Sequence, residues 1–115
     1  MAGLAISFVP TNSKKVLVFA QAQATNATSA DGSGMQIYHG TGTAPNNGDA
    51  VTGTADGNFA RYDSVSGTEV GMITCVAYIS NLTLGTTYWF DLAQNAINGG
   101  TSSLTSLNYI ITEIF

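Results

Sequence analysis

Charge is scarce in this chain. Lys, Arg, Asp and Glu make up 9% of its 115 residues, against about 25% in an ordinary soluble domain. The basic side chains are Lys14, Lys15 and Arg61 alone. A nucleic-acid surface needs clustered Lys and Arg to neutralise phosphates, so nucleic acid is excluded as a partner. Cysteine is nearly absent too. Cys75 has no second thiol to pair with and reads as a small buried apolar residue in a strand. With His39 as the sole histidine, one chain cannot assemble a structural zinc site. No apolar run approaches the ~20 residues of a membrane-spanning helix. The opening residues Met1 to Pro10 have no basic stretch ahead of their apolar ones and do not read as a signal peptide. No membrane partner is expected.

The hydrophobic share, 44%, is ordinary, and Gly, Ser, Thr, Asn and Ala fill the places usually held by Lys and Glu. The net charge of −4 arises from scattered acids: Asp31, Asp49, Asp56, Asp63, Glu69, Asp91 and Glu113. The length predicts one domain over residues 1–115. A domain of this size buries roughly two thirds of its unfolded surface and needs no disulfide staple. A monomer relies on surface charge for solubility. So poor a supply predicts that part of the exterior is covered by copies of the chain or by a larger assembly.

Strand signals dominate. Lys15 to Gln23, Met35 to Gly40, Phe59 to Val65, Thr68 to Ser80, Thr86 to Ala93 and Leu104 to Phe115 are rich in Val, Ile, Thr and aromatics. Clusters of Gly, Asn, Asp and Ser bound them. Ala20 to Ala30 holds helix-friendly alanines, but its Thr, Asn and Ser bring turn chemistry and no apolar stripe. Asp31-Gly-Ser-Gly34 is read as a turn. The glycine-rich segment from Gly40 to Gly57 is read as a long loop.

The strands are apolar on both faces. In Thr68 to Ser80 one face carries Val70, Met72, Val76 and Tyr78, and the other Gly71, Ile73, Cys75, Ala77 and Ile79. Near the end, Leu107, Tyr109, Ile111 and Phe115 oppose Ile110 and Ile114. A strand with one wet face alternates apolar and polar residues, so here the second face is expected to meet a neighbouring subunit.

Catalytic chemistry is thin. Serines and Asp accompany His39, but no Gly-x-Ser-x-Gly elbow is present, and His39 is read as structural or as a subunit contact. The loop aspartates lack EF-hand spacing and are read as solvated turn residues, although a three-fold axis could gather His39 or an Asp from three subunits. Gly40-x-Gly42 is a turn signal, not a dinucleotide fingerprint. Asn26-Ala-Thr28 and Asn81-Leu-Thr83 match the glycosylation sequon by composition alone. Exposed Tyr and Trp beside Asn and Asp loops would suit a sugar platform, but core packing explains Tyr88-Trp89-Phe90 more simply.

Ser80-Asn-Leu-Thr-Leu-Gly-Thr-Thr-Tyr-Trp-Phe-Asp-Leu-Ala93, the turn Asn98-Gly-Gly100 and the ending Tyr109-Ile-Ile-Thr-Glu-Ile-Phe115 resemble the closing strands of trimeric jelly-roll virion proteins of tailed bacteriophages. Those modules are similar in shape to the tumour-necrosis-factor and complement globular-head fold. Tyr38-His-Gly-Thr-Gly-Thr-Ala-Pro-Asn-Asn-Gly48 looks like a segment of the same proteins. The family's hairpin corner maps to Leu82 or Leu84, Gly85, Thr86 and Tyr88. Its hydrophobic ending near the three-fold axis maps to Glu113, Ile114 and Phe115. The resemblance implies an all-β, antiparallel two-sheet jelly-roll sandwich of about eight strands, acting as a homotrimer.

It further implies a capsid decoration (cement) protein on the virion surface, with the major capsid protein as partner. The alternative is the receptor-binding tip of a tail or head fibre, with a bacterial-surface glycan as partner. No shaft or heptad repeat accompanies the domain here, which favours decoration. No enzymatic activity, cofactor or metal is expected. Ile73, Tyr78, Trp89, Tyr109, Ile110, Ile114 and Phe115 are assigned to the core or trimer interface. Leu4, Ile6, Phe8 and Val9, ahead of Pro10, are assigned to capsid docking, with residues 1–10 a docking arm or an edge strand.

Overall fold

Val16–Asn26 alternates strictly, turning Val16, Val18, Ala20, Ala22 and Ala24 inward at full burial. The computed structural model describes residues 1–63, 65 and 69–115. Its strands are β1 (Ile6–Phe8), β2 (Val16–Asn26), β3 (Gly32–Thr41), β4 (Thr54–Asp63), β5 (Gly71–Ile79), β6 (Tyr88–Ile97) and β7 (Ser102–Glu113). All pairings are antiparallel. The strands form a four-stranded sheet in the order β1-β6-β3-β4 and a three-stranded sheet in the order β5-β2-β7. The result is an all-β sandwich of seven strands among the described residues, where about eight were expected. Thr68, the expected start of β5, lies outside the described residues, as does Ser64 in the expected strand Phe59 to Val65.

The two sheets share one core. Small alanines along β2 leave room for Met35, Ile37, Phe90 and Leu92, all with no exposed surface, to fill the space between the layers. Each such large side chain contributes about 1.5–3 kcal/mol of burial. Cys75 joins this core and donates its thiol hydrogen to the Met35 carbonyl at 3.0 Å. Burial pushes its thiol up from the ordinary value.

β2 runs past the expected Gln23 to Asn26, because small side chains alternating with polar ones fit an inward face pressed against another sheet. One expectation is corrected. Asp31-Gly-Ser-Gly34 is not a turn: β3 begins at Gly32. Its glycines serve close approach, since a side chain on Gly34 would collide with the Phe59 ring. The expected loop also shortens to residues 42–53.

That loop and the first residues roof the outer face of the four-stranded sheet. Met1 donates its nitrogen to the Asp49 carbonyl at 2.7 Å, and Gly48 N–H returns a bond to Met1 at 3.1 Å. Ala2 N–H reaches the Leu92 carbonyl at 2.8 Å. Beneath them the fully buried Asp91 carboxylate accepts Gly3 N–H and Leu4 N–H, each at 3.1 Å, and Leu92 N–H at 2.7 Å. Gly53, at φ +81°, lets the loop return over the Trp89 ring, where a side chain would strike the His39 carbonyl.

Between β4 and β5 the sandwich is closed by a side chain. The Asn58 amide donates to the Thr74 carbonyl at 3.0 Å and accepts Val76 N–H at 2.8 Å. It stands in for a strand partner at an edge that would otherwise be open.

Candidate functional site

The outer face of β5-β2-β7 has no charged residue along its paired rows. Register places Tyr78, Leu17 and Thr112 in one row, and Val76, Phe19 and Ile110 in the next. Thr74, Gln21 and Asn108 follow, then Met72, Gln23 and Thr105. Tyr78 and Ile110 are more than half exposed, at 58% and 57%, with Val76 at 43% and Leu17 at 39%. Apolar side chains from three strands therefore form one contiguous patch open to solvent. Single exposed apolar residues are normal; a clustered, charge-free face marks an interaction surface.

The assigned interface residues separate. Tyr78 and Ile110 share this face, whereas Ile73 points inward at 4% exposure. Trp89 sits under the roof on the other sheet, its indole N–H on the Thr41 carbonyl at 3.2 Å. Tyr109 packs inward against the core, and its hydroxyl is the one buried side-chain polar atom without a partner among the described residues. Burial raises its pKa well above the ordinary value, with the negative charges of Asp91 and Asp56 adding to the rise. Ile114 donates its N–H to Lys15 at 2.9 Å and is half-buried, while Phe115 is 85% exposed. Leu17, Phe19 and Val76 were not among the residues assigned to the interface. Their signal was the alternation of two apolar sets along one strand.

The residues assigned to docking lie on the other sheet, at its β1 edge. Ile6 to Phe8 pair with β6 as an edge strand, and Phe8 packs edge-on against Phe90 at 6.4 Å between ring centres. Leu4, Ile6 and Val9 expose 49%, 37% and 39%. The connector after them is latched by Glu113, whose carboxylate accepts the N–H groups of Thr11, Asn12 and Ser13 at 2.8–2.9 Å. The bonds from Ser13 and Asn12, then that from Thr11, hold its pKa below the usual carboxylate value.

A cleft of about 370 Å³ opens where β3 and β4 meet the end of β5. His39 Nδ1 lies 2.5 Å from Asp56 Oδ2, and both side chains are largely buried. The imidazole is packed against Tyr88 and Phe90, with ring centres at 5.9 and 5.7 Å. Thr54, Tyr78, Ile79, Ser80, Asn81 and Leu82 complete the wall. Among the described residues no three His, Cys, Asp or Glu side chains gather as a metal site. Asp63 instead pairs with Arg61 at 2.7 Å, and Asp49 accepts Asn46 N–H at 2.6 Å. The Arg61 guanidinium holds the exposed Asp63 carboxyl below its usual range. Comparison with protein-family models, curated proteins and solved structures finds no match to this chain.

Proposed function

We propose that the chain is a non-enzymatic structural subunit that associates with copies of itself through the outer face of β5-β2-β7. The charge-free rows of Leu17, Phe19, Val76, Tyr78 and Ile110 carry this reading. Burying such side chains between subunits removes apolar surface from water with no ionic group to desolvate. The three-fold count, the jelly-roll wiring and the place on a phage capsid rest on the resemblance of the closing segments. On that reading the trimer decorates the capsid surface, and Leu4, Ile6 and Val9 at the β1 edge meet the major capsid protein. Modest contacts of each copy would then sum over the trimer.

Sedimentation of the purified protein tests assembly, with a trimer expected. Ile110→Glu and Val76→Glu change exposed positions, so each should give a folded monomer with unchanged circular dichroism. A wild-type protein that sediments as a monomer at micromolar concentration would remove the proposal. Binding to particles stripped of decoration, compared between the wild type and Leu4→Asp/Val9→Asp, tests the capsid step. Equal binding would end the docking role of that edge.

A further inference from the structure

We propose that the free edge of β7 pairs with the same edge of a second copy, joining two three-stranded sheets across a two-fold axis. β7 ends the order β5-β2-β7, so one side of it has no strand beside it. The register tells which backbone groups lie there. Ile114 N–H bonds to the Lys15 carbonyl, which makes Lys15 and Ile114 a hydrogen-bonded pair. Antiparallel pairs alternate, so Val16–Glu113, Val18–Ile111 and Ala20–Tyr109 are the non-bonded pairs. The N–H and C=O groups of Tyr109 and Ile111 therefore point away from β2, and no described residue bonds to them. The other edge of the same sheet is guarded, because Asn58 occupies the Thr74 carbonyl and Val76 N–H. Natural edges are blunted by Lys, Pro or bulges. β7 carries neither charge nor proline from Ser102 to Thr112. Its one bulge, at Ser106 with φ +51°, leaves residues 107–113 in regular register.

The residues of β7 make a second copy the fitting occupant. With the two-fold at Ile110, Tyr109 lies opposite Ile111 of the second copy, and both have their backbone groups at the edge. Each such pair exchanges two bonds. The side chains match row by row. Ile110 meets its own counterpart on the outer face, and Asn108 meets Thr112, both exposed and uncharged. On the half-buried inner row Tyr109 meets Ile111, an aromatic beside a β-branched side chain. A chain of net charge −4 thus opposes no like charges across the seam. Glu113 falls opposite Leu107, with its carboxylate already held by the N–H groups of Thr11, Asn12 and Ser13. So short a span makes a weak, isologous contact, populated where copies are concentrated. It is separate from the face contact proposed above, since Val76 on β5 lies two strands away from this edge.

Val76→Glu, which breaks the face contact, isolates the edge. It should sediment as a monomer at micromolar concentration and as a dimer at about 1 mM, where a contact of millimolar Kd is populated. In that background and at that concentration, Ile110→Cys should form a disulfide between copies in a glutathione redox buffer. Non-bonded antiparallel partners bring their Cα atoms to about 4.5 Å, within disulfide reach. Asn108→Cys, whose partner position is 112, should not cross-link. Asn108→Lys/Thr112→Lys and Asn108→Glu/Thr112→Glu should each stay monomeric with unchanged circular dichroism, because both positions are exposed. An equimolar mixture of the two should restore the dimer. A monomer at about 1 mM would overturn the proposal, as would cross-linking at 108 as rapid as at 110. So would a dimer that survives the paired lysines, which would place the contact elsewhere.

Discussion

Removing the Asp91 carboxylate tests how the first residues are held. In Asp91→Ala the N–H groups of Gly3 and Leu4 lose their acceptor at 3.1 Å. Hydrogen bonds to a charged group contribute about 1.5–3 kcal/mol each. The two from Gly3 and Leu4 together contribute about 3–6 kcal/mol by the same scale, and Leu92 N–H loses its bond to the same carboxylate. The full loss is not expected, because the freed segment can swing out and hydrate its amides. Residues 1–4 would then surrender the buried Met1 side chain, worth about 1.5–3 kcal/mol. Removing a desolvated carboxylate offsets part of the cost. A net destabilisation of about 2–4 kcal/mol follows, the tail of the usual mutational range. Urea denaturation should show a lower midpoint, and hydrogen exchange should show Gly3 and Leu4 deprotected while Phe90 stays protected. Asp91→Asn, which keeps one acceptor oxygen, should lose about half as much. Native protection at Gly3 and Leu4 in Asp91→Ala would refute the anchoring argument.

Glu113→Gln should flatten the acid limb of the stability curve. The folded carboxyl titrates below its unfolded value, so its contribution is complete above the unfolded pKa and is lost as pH falls through the folded pKa. Melting temperatures of wild type and variant should therefore converge at low pH, and a constant gap would refute the latch. Cys75, buried and held in its thiol form, should resist maleimide until the protein unfolds. Rapid labelling of the native protein in mass spectrometry would contradict its placement. Asn58→Ala should cost about 1–2 kcal/mol from two lost bonds and expose the β5 edge, raising light scattering on storage. Unchanged scattering and melting would show that the amide does not guard the edge.

The alternation in the sequence determined much of this architecture. Period-two patterns and turn clusters located most strands, and the two residue sets of Thr68 to Ser80 match the faces of β5: Ile73, Cys75 and Ala77 are buried, Met72, Val76 and Tyr78 exposed. Alternation cannot say which of two apolar sets faces the core, because both carry similar side chains. That choice was made by the second sheet, whose Met35, Ile37, Phe90 and Leu92 need the small inward residues of β2 opposite them. The same pairing carried β2 past Gln23, through Ala24 to Asn26. Asp91 read as one scattered acid, and His39 and Asp56 as residues in a strand corner and a loop. Only the folded chain brings the N–H groups of Gly3 and Leu4 to Asp91, across more than eighty residues, and Asp56 to His39. Contacts so distant along the chain leave no periodic trace, since their partners are set by how the sheets stack and where the loop folds back.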